Sequence, residues 1–337
     1  MPAAAALFPP CAGTGLRLGL GGAPLGNLFE AVADADARAV VEAAWASGCR
    51  SFDTAPHYGH GLSERRLGDA LQGRDRAAFV LSSKIGRLLT AQADAPRDQH
   101  GYVDTPPVVQ HWDYSAAGTR RSLEDSLQRT GLARIDVLYV HDLDAATHGD
   151  RAPQVLRQVL GETLPTLQAM KHEGLIGAFG LGVNDVSVVL EVLRHADIDA
   201  LLLAGRYSLL DHSALPELLP LCLARGVHIA LGGVFNSGIL ATGTARGSAT
   251  FNYAPAAPEW LARTRRIEAH CSVHGVALRA AALQFALAHP AIEIVMLGAR
   301  RVAEWHDALS MLQHAIPPAF WQALRADGLL PGDAPTP

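Results

Sequence analysis

Hydrophobic and polar positions follow two rhythms that alternate along the whole chain. Short runs rich in leucine, β-branched and aromatic residues are typical of buried strands, whereas apolar positions three or four residues apart are typical of helices. Strands are predicted over residues 16–21, 51–53, 79–84, 135–141, 178–183, 200–204, 227–231 and 294–297. Helices are predicted over residues 34–47, 63–71, 115–130, 161–171, 185–195, 215–225, 258–274, 278–288, 302–312 and 318–325. This order indicates βα units that form a parallel sheet.

The number of βα units favours one architecture. Eight strands, each followed by a helix and with no Pro/Gly/Ser-rich linker between them, predict one α/β domain over residues 1–337, a single (β/α)8 TIM barrel. Two loops are longer than such a barrel needs, about residues 86–113 after the third strand and 235–257 after the seventh. Loops at the C-terminal ends of barrel strands usually form the site, so we expect both loops there.

A doubly wound dinucleotide-binding fold is the main rival. Its test is a G-x-G-x-x-G turn between a strand and a helix. Gly19, Gly21 and Gly22 are followed by Ala23 and Pro24, so the third glycine is missing there. The segment Gly180-Leu181-Gly182 is followed by Val183 and Asn184 and lacks it as well. A nucleotide would therefore have to bind in another way.

Charge and cysteine content narrow the class of protein. The chain has 28 Lys and Arg against 33 Asp and Glu, a net charge of −5, and no basic run of the kind that binds nucleic acid. Its four cysteines lie far apart, which fits a reducing cytoplasm. No apolar stretch reaches the roughly 18 residues of a membrane span, and the first residues lack the basic start of a signal peptide. We expect a soluble, unprocessed cytoplasmic protein; its oligomeric state stays open.

Four polar residues stand at or near the ends of neighbouring predicted strands. Asp53 ends the second strand, Tyr58 follows in its loop, Lys84 ends the third and His141 ends the fourth. Each alone is equally well explained as a cap, a loop contact, a solvated strand end or a satisfied histidine. Together their chemistry is complementary, because a nearby cation lowers the pKa of a tyrosine and lets it act as a general acid. Asp53 would keep Lys84 charged, and His141 would orient a substrate oxygen.

The rarity of lysine supports this group. The chain has 26 arginines but only two lysines, Lys84 and Lys171. A lysine at the end of the third strand therefore suggests that a compact charge on a flexible stem is needed there. Chance placement of one of two lysines is the alternative.

The spaced motifs resemble the aldo-keto reductases. The resemblance rests on FDTAPHYGHGLSERRLGDAL (52–71), on Lys84 and on VLYVHDLD (137–144), in the order typical of that family, and it covers nearly the whole chain. It implies a (β/α)8 barrel that transfers hydride between a nicotinamide cofactor and a carbonyl. It also implies that Asp53, Tyr58, Lys84 and His141 are the catalytic tetrad, with Tyr58 as proton donor or acceptor.

Three further segments narrow the branch. WDYSAAGTRRSLEDSLQRTGL (112–132), LLLAGRYSLLD (201–211) and GGVFNSGIL (232–240) resemble the D-threo-aldose (L-fucose) 1-dehydrogenases and the pyridoxal 4-dehydrogenases. Both groups oxidise a cyclic hemiacetal to a lactone. The resemblance implies an NAD(P)-dependent aldose dehydrogenase with a small-molecule substrate. A pyridoxal dehydrogenase or a general aldehyde and ketone reductase is the alternative, and a nucleotide-binding regulatory barrel is a more distant one.

The cofactor-binding positions of the family are matched less directly in this sequence. Asn184 and Asp185 stand where the family has serine and asparagine after the fifth strand, so Asn184 would have to make the carboxamide contact. Ala204 and Gly232 stand where the family has a glutamine and the aromatic that stacks on nicotinamide. Phe235 or Arg206 would have to supply that platform. Backbone amides of the turn after the seventh strand are expected at the pyrophosphate. That turn consists of Phe235, Asn236, Ser237 and Gly238.

The segment after the eighth strand is expected at the adenosine end of the cofactor. Gly298, Arg300 and Arg301 lie where the family binds this part. Two guanidiniums suit the 2′-phosphate of NADP, whereas one that stacks on adenine leaves NAD equally good. Both cofactors remain open.

Substrate and metal assignments are weaker. His57 and Trp112 flank the expected mouth and are predicted substrate contacts, with a merely solvated histidine as the alternative. No H-E-x-x-H or H-x-H spacing is present, so no metal site is predicted, which makes a metal-dependent hydrolase a remote reading.

Overall fold

The computed structural model describes residues 6–245 and 249–337, and eight parallel strands in it close into a barrel. The barrel strands are Leu18–Gly21, Ser51–Asp53, Val80–Ile85, Val137–His141, Ala178–Val183, Ala200–Ala204, His228–Gly232 and Ile292–Gly298. Each pairs with the next in this order, and the first pairs with the eighth from Leu18 opposite Val295 to Gly21 opposite Gly298. The predicted (β/α)8 barrel is confirmed, with strand ends that shift by one or two residues.

Helices surround the barrel in the predicted order. The longer ones are Asp34–Ala46, Leu62–Leu71, Ala116–Thr130, Leu164–His172, Val186–His195, Leu218–Arg225, Pro258–His274, Leu278–Ala288, Val302–Gln313 and Pro318–Ala326. The helix predicted over 161–171 begins earlier than expected, because Ala152–Gln158 and a π-helical turn over Val159–Thr163 lead into it. Short helices also occur at Ala145–His148 and Ile239–Thr242.

Several helix ends are set by their local sequence. The Ser115 hydroxyl accepts a hydrogen bond from the Gly118 amide at 3.0 Å, and Asp185 accepts one from the Ser187 amide at 2.8 Å. Such side chains satisfy amides that a helix leaves unpaired at its start. At the other end Gly131 has a φ of 64°, a left-handed conformation that glycine adopts at little cost.

The core lies in two places. Most buried apolar side chains fill the layer between the barrel and the helices. A second cluster fills the barrel interior, where Phe8 packs with Tyr139 and Leu202. Strands pack closely here: a Cβ added to Gly180 would lie 1.6 Å from the carbonyl oxygen of Ala200 on the next strand. Glycine is therefore required at this position of the fifth strand.

The two long loops form hairpins of their own. In the first, Arg87–Ala91 pairs antiparallel with Val108–Trp112, so the segment predicted as a loop contains two strands. In the second, Thr250–Phe251 pairs with Ala254–Pro255. Residues 246–248 of this predicted loop lie outside the described residues.

Within the described chain, no single helix is long and apolar enough to cross a membrane. The helices Pro258–His274 and Leu278–Ala288 reach the length and apolar composition of a membrane span only when taken together, and they meet at a bend of 103°.

Candidate active site

The ends of three neighbouring strands bring the predicted catalytic residues together. Asp53 is the last residue of the second strand and His141 is the last of the fourth, while Lys84 lies one residue before the end of the third. Tyr58 follows in the turn after the second strand and lines the cavity at this end of the barrel. All four side chains therefore meet at the C-terminal face, where barrel enzymes carry their sites.

Asp53 and Lys84 form a buried ion pair. The Lys84 ammonium donates to Asp53 Oδ2 at 2.7 Å and to the Thr54 carbonyl at 2.9 Å, and Ser82 donates to Asp53 Oδ1 at 2.7 Å. The side chain of Lys84 is 1% exposed and that of Asp53 is 3% exposed. Burial raises the pKa of the Asp53 carboxyl and lowers the pKa of the Lys84 ammonium, and each charge partly offsets the effect on the other.

Tyr58 lies directly against this ion pair. The Lys84 ammonium is 4.5 Å from the centroid of the phenol ring, and the hydroxyl has no hydrogen-bond partner among the described residues. Burial raises the pKa of Tyr58 well above its usual value of 10.0, and the negative charge of Asp53 raises it further. The expected net lowering of this pKa is wrong for this pocket, because burial and the charge of Asp53 together outweigh the opposing charge of Lys84.

His141 stands beside Tyr58 at a right angle. The two ring centroids are 6.0 Å apart with an interplanar angle of 86°. Burial lowers the pKa of His141 well below its usual value, and the positive charges of Arg87 and Lys84 lower it further. The imidazole is therefore neutral near pH 7 and can donate one hydrogen bond without carrying a charge.

A cavity of about 640 Å³ opens at the same end of the barrel. Seven of the eight predicted cofactor residues line it: Asn184, Phe235, Asn236, Ser237, Gly238, Gly298 and Arg300. Asp53 and Tyr58 form part of its wall. Residues of the first, second, sixth, seventh and eighth strands line this cavity, so Tyr58, Gly298 and Arg300 face one common space.

Comparison with known proteins explains this arrangement. The Aldo/keto reductase family model matches residues 17–326. This chain is an aldo-keto reductase. It is 42% identical to a pyridoxal 4-dehydrogenase of Microbacterium luteolum over 93% of this chain and 94% of that protein. It is 38% identical to a D-threo-aldose 1-dehydrogenase of a Pseudomonas species, over 96% and 98%.

Solved structures agree on the fold. An aldo-keto reductase of Bacillus halodurans in its holo form has a TM-score of 0.69 at 22% identity and covers 96% of both chains. A glycerol dehydrogenase of Gluconobacter oxydans has a TM-score of 0.71 at 21% identity and covers 96% of this chain and 93% of that one. As an aldo-keto reductase, the chain is an oxidoreductase that acts on a CH–OH or carbonyl group, and its family uses nicotinamide cofactors.

The cavity wall fits a nicotinamide dinucleotide. Gly232 leaves open space, since an added Cβ would meet no atom closer than 3.7 Å, so a flat ring has room where the family has an aromatic. The Arg300 Nε is buried and has no acceptor among the described residues. An unpaired buried donor of this kind is costly unless a ligand binds it. Arg300 therefore suits an anionic cofactor, and the half-buried Asn184 lines the same cavity.

Other predicted contacts lie elsewhere. Arg301 does not line the cavity; its side chain is 69% exposed and pairs with Glu30 at 3.0 Å. The Asn236 amide is already bonded, because its Oδ1 accepts from Ser208 at 2.5 Å, so only its backbone remains for a ligand. Arg206 is not among the residues that line the cavity; it donates to the Asn184 carbonyl at 2.6 Å and to Asp211 at 3.0 Å.

Neither predicted substrate residue is on the cavity wall; His57 lies beside His141, and Trp112 lies against Arg87. The His57 ring is 5.8 Å from the His141 ring, and its Nδ1 is 3.0 Å from Gln110 Oε1. The Trp112 ring lies under the Arg87 guanidinium at 3.9 Å. Within the described chain, no group of three or more His, Cys, Asp or Glu side chains is arranged to hold a metal ion.

Three residues of this site were not predicted from the sequence. Arg87, Tyr102 and Gln110 all belong to the first long loop, which folds as a hairpin over the predicted catalytic residues. Arg87 follows Lys84 by three residues, and this short distance from a strand-end lysine is the sequence feature that could have indicated its place near the site. The pairing across the hairpin, which carries Gln110 to His57, is a tertiary feature that the loop sequence does not reveal.

Proposed function

We propose that this aldo-keto reductase is an NAD(P)-dependent dehydrogenase of D-threo-aldose (L-fucose) type, which oxidises the anomeric carbon of a cyclic hemiacetal to a lactone. The observation that carries the proposal is the free Tyr58 hydroxyl on the cavity wall, with the Lys84–Asp53 pair behind it and neutral His141 beside it. The aldose and pyridoxal dehydrogenases at 38% and 42% identity supply the hemiacetal as substrate class.

Each catalytic side chain has a defined part in this reaction. Tyr58, in its phenolate form, accepts the proton of the anomeric hydroxyl as the C–H bond breaks and the C=O bond forms. The nicotinamide cofactor, when bound, accepts the hydride. His141 donates a hydrogen bond to the substrate oxygen and so orients it. Lys84 favours the phenolate by its charge, and Asp53 keeps the lysine protonated and in position.

Because the pKa of Tyr58 is raised, the direction of reaction that Tyr58 favours depends on pH. At neutral pH the phenol form dominates, which suits proton donation during carbonyl reduction. Oxidation needs the phenolate, so its rate is expected to increase as pH rises above neutral. A rate profile of the oxidation that falls over this range would contradict the role of Tyr58 as base.

The cavity favours NAD over NADP in this proposal. Arg279 and Arg300 line it, but so do Glu304 and Asp307, and Arg279 is bound by Asp307 at 2.7 Å. With Arg301 turned away and Arg279 paired with Asp307, only the Arg300 guanidinium, among the described residues of the cavity wall, is left to bind a 2′-phosphate, and the Glu304 carboxylate lies on the same wall. An acidic side chain instead suits the ribose hydroxyls of NAD. Glu304→Gln is expected to improve use of NADP relative to NAD, and an unchanged ratio would contradict the assignment.

A pyridoxal-type substrate is the second candidate, and one observation favours it. Two exposed aromatic residues, Phe29 and Tyr253, line the mouth of the cavity and are 50% and 59% exposed. Flat rings at a mouth can stack on a pyridine ring, which gives about 0.5–1.5 kcal/mol per aromatic pair. An aldose offers hydroxyls to such rings but no aromatic face. Loss of pyridoxal turnover in Phe29→Leu with aldose turnover retained would support this candidate.

The deciding experiment measures absorbance of the reduced nicotinamide with NAD or NADP and with L-fucose, D-arabinose or pyridoxal. Tyr58→Phe is expected to lower kcat about 10²–10⁴-fold, the usual contribution of a general acid or base, while cofactor binding by fluorescence stays unchanged. Binding of the cofactor without turnover of any carbonyl or hemiacetal would overturn the proposal in favour of a regulatory barrel.

We also propose that residues 1–337 act as one domain in the cytoplasm, where the buried free thiols remain reduced.

A further inference from the structure

Arg87 is a buried arginine for which the mechanism above has no role. It is the first residue of the hairpin strand Arg87–Ala91 and is 7% exposed. Its Nη1 is 2.9 Å from Nδ1 of His141, and its Nη2 donates to Asp142 Oδ2 at 2.6 Å. The guanidinium also lies 3.9 Å from the centroid of the Trp112 ring. Three contacts therefore fix both the plane and the position of this cation.

The contact with His141 determines where the imidazole carries its proton. A guanidinium has five N–H donors, no acceptor, and stays charged at every working pH. Nδ1 of His141 must therefore be the acceptor in this hydrogen bond. In the neutral ring the proton then resides on Nε2. The nearest carboxylate oxygen to Nε2, Asp142 Oδ2, is 3.7 Å away and beyond hydrogen-bond distance, so this donor stays free for a substrate.

We infer that Arg87 is a positioning residue that holds His141 as the neutral Nε2–H tautomer and so supplies the substrate oxygen with a donor at a fixed place. The inference rests on the proposed function, in which His141 donates to that oxygen. Asp142 contributes to this positioning, because its carboxylate orients the Arg87 guanidinium and compensates its charge. Trp112, predicted as a substrate contact, supports Arg87 from the other face.

The charges around His141 agree with this role. Arg87 and Lys84 are positive, His57 is a neutral ring at 5.8 Å and Tyr58 is a phenol at 6.0 Å. Asp142 Oδ2 lies 3.7 Å from Nε2 of His141, and Asp53 pairs with Lys84. Burial and the two positive charges lower the pKa of His141 well below 6.5. Removing Arg87 takes away one of these charges and leaves Asp142 unpaired beside the ring. The pKa of His141 is then expected to rise, and its tautomer is no longer fixed.

Nuclear magnetic resonance of the full chain labelled with ¹⁵N-histidine tests the tautomer without any turnover. The His141 signal is assigned by its loss in His141→Gln. In the unmodified protein we expect a protonated Nε2 and an unprotonated Nδ1 throughout the neutral range. In Arg87→Met we expect a mixture of tautomers and a titration at higher pH. A protonated Nδ1 in the unmodified protein, or an identical titration in Arg87→Met, would overturn the inference.

Kinetics then test whether the tautomer matters to the reaction. Arg87→Met is expected to lower kcat about 100-fold, the usual effect of losing one donor to a developing oxyanion, with cofactor affinity unchanged. Arg87→Lys keeps the charge and should restore part of kcat together with the His141 titration. Arg120→Met is the matched control, since Arg120 forms an exposed pair with Glu173 on an outer helix and should behave like the unmodified protein.

The outcomes separate this inference from the proposed function. If the unmodified protein turns over no hemiacetal or carbonyl, the proposed function fails, while the resonance measurement still decides the tautomer. If turnover is normal and Arg87→Met loses activity but keeps the tautomer and pKa of His141, the inference fails. Equal loss in Arg87→Lys and Arg87→Met with an unchanged pH profile also contradicts it, because a merely structural arginine would give that result.

Discussion

Replacing Asp53 with asparagine leaves the Lys84 ammonium buried without its counter-ion. The ammonium and the carboxylate are 2.7 Å apart, and both side chains are shielded from water. At an effective dielectric of about 20, their attraction is about 6 kcal/mol. Removal of one partner of such a pair usually costs about 3–5 kcal/mol of the free energy of unfolding, because the remaining charge stays desolvated. Asp53→Asn should therefore be strongly destabilising at pH 7.

Lys84 can limit this loss by giving up its proton. In the unfolded chain a lysine has a pKa of about 10.4, so deprotonation at pH 7 costs about 5 kcal/mol, and at pH 9 only about 2 kcal/mol. In the folded variant the pKa of Lys84 falls far below its unfolded value, so the unfolded state binds more protons. The stability of the variant then rises with pH relative to the unmodified protein. The penalty should shrink to about 2 kcal/mol or less at pH 9.

Urea unfolding followed by circular dichroism measures this difference when both proteins are compared at pH 7 and pH 9. The double variant Asp53→Asn/Lys84→Met is the control, since it contains no amine to titrate at this site. Its penalty should be independent of pH and smaller than that of the single variant at pH 7. A single-variant penalty below about 1 kcal/mol, or one equal at the two pH values, would refute the reasoning from the buried pair.

Two further predictions concern the barrel itself. Gly180→Ala should cost about 3 kcal/mol or more of unfolding free energy, because the new Cβ would lie 1.6 Å from the Ala200 oxygen. Gly161→Ala, where an added Cβ meets nothing within 4 Å, should be neutral in the same urea titration, and equal effects would contradict the packing argument. Hydrogen bonding to Glu293 raises the pKa of His228 above 6.5, so its stabilisation is full below pH 6.5 and is lost as pH rises through the folded pKa. The stability difference between the unmodified protein and His228→Asn should therefore shrink from about pH 6 to about pH 9; a constant difference would contradict the pairing.

The four residues of the proposed catalytic tetrad could be located from sequence because their positions depend on strand ends. Strand periodicity placed Asp53 and His141 at the last residues of their strands, and the structure agrees. Parallel strands in a closed barrel deliver their C-terminal ends to one face, so order along the chain is enough to bring these side chains together. Position was predictable for this reason, but the pKa of Tyr58 was not. Its direction depends on how deeply the phenol is buried and on the distance from Lys84 to Asp53.

At the cavity proposed for the cofactor, too, the sequence predicts the segment but not which of its side chains face the cavity. Arg300 and Arg301 are neighbours in sequence, yet only Arg300 lines the cavity, because successive side chains beyond the strand end point in different directions. The sequence alone gave no basis for choosing between them. The proposed preference for NAD rests on Glu304 and Asp307, which the helix after the eighth strand carries to the cavity wall.

The sequence by itself determined the architecture, the family and the positions of the four proposed catalytic residues, because these follow from local periodicity and from motifs whose residues are close in the chain. Tertiary structure decided the protonation of Tyr58, the choice between Arg300 and Arg301, and the contact of Arg87 with His141. Arg87 and His141 are 54 residues apart and meet only because the hairpin folds back over the barrel. Burial and through-space charge set the chemistry of these groups, and both depend on distances that no local pattern contains.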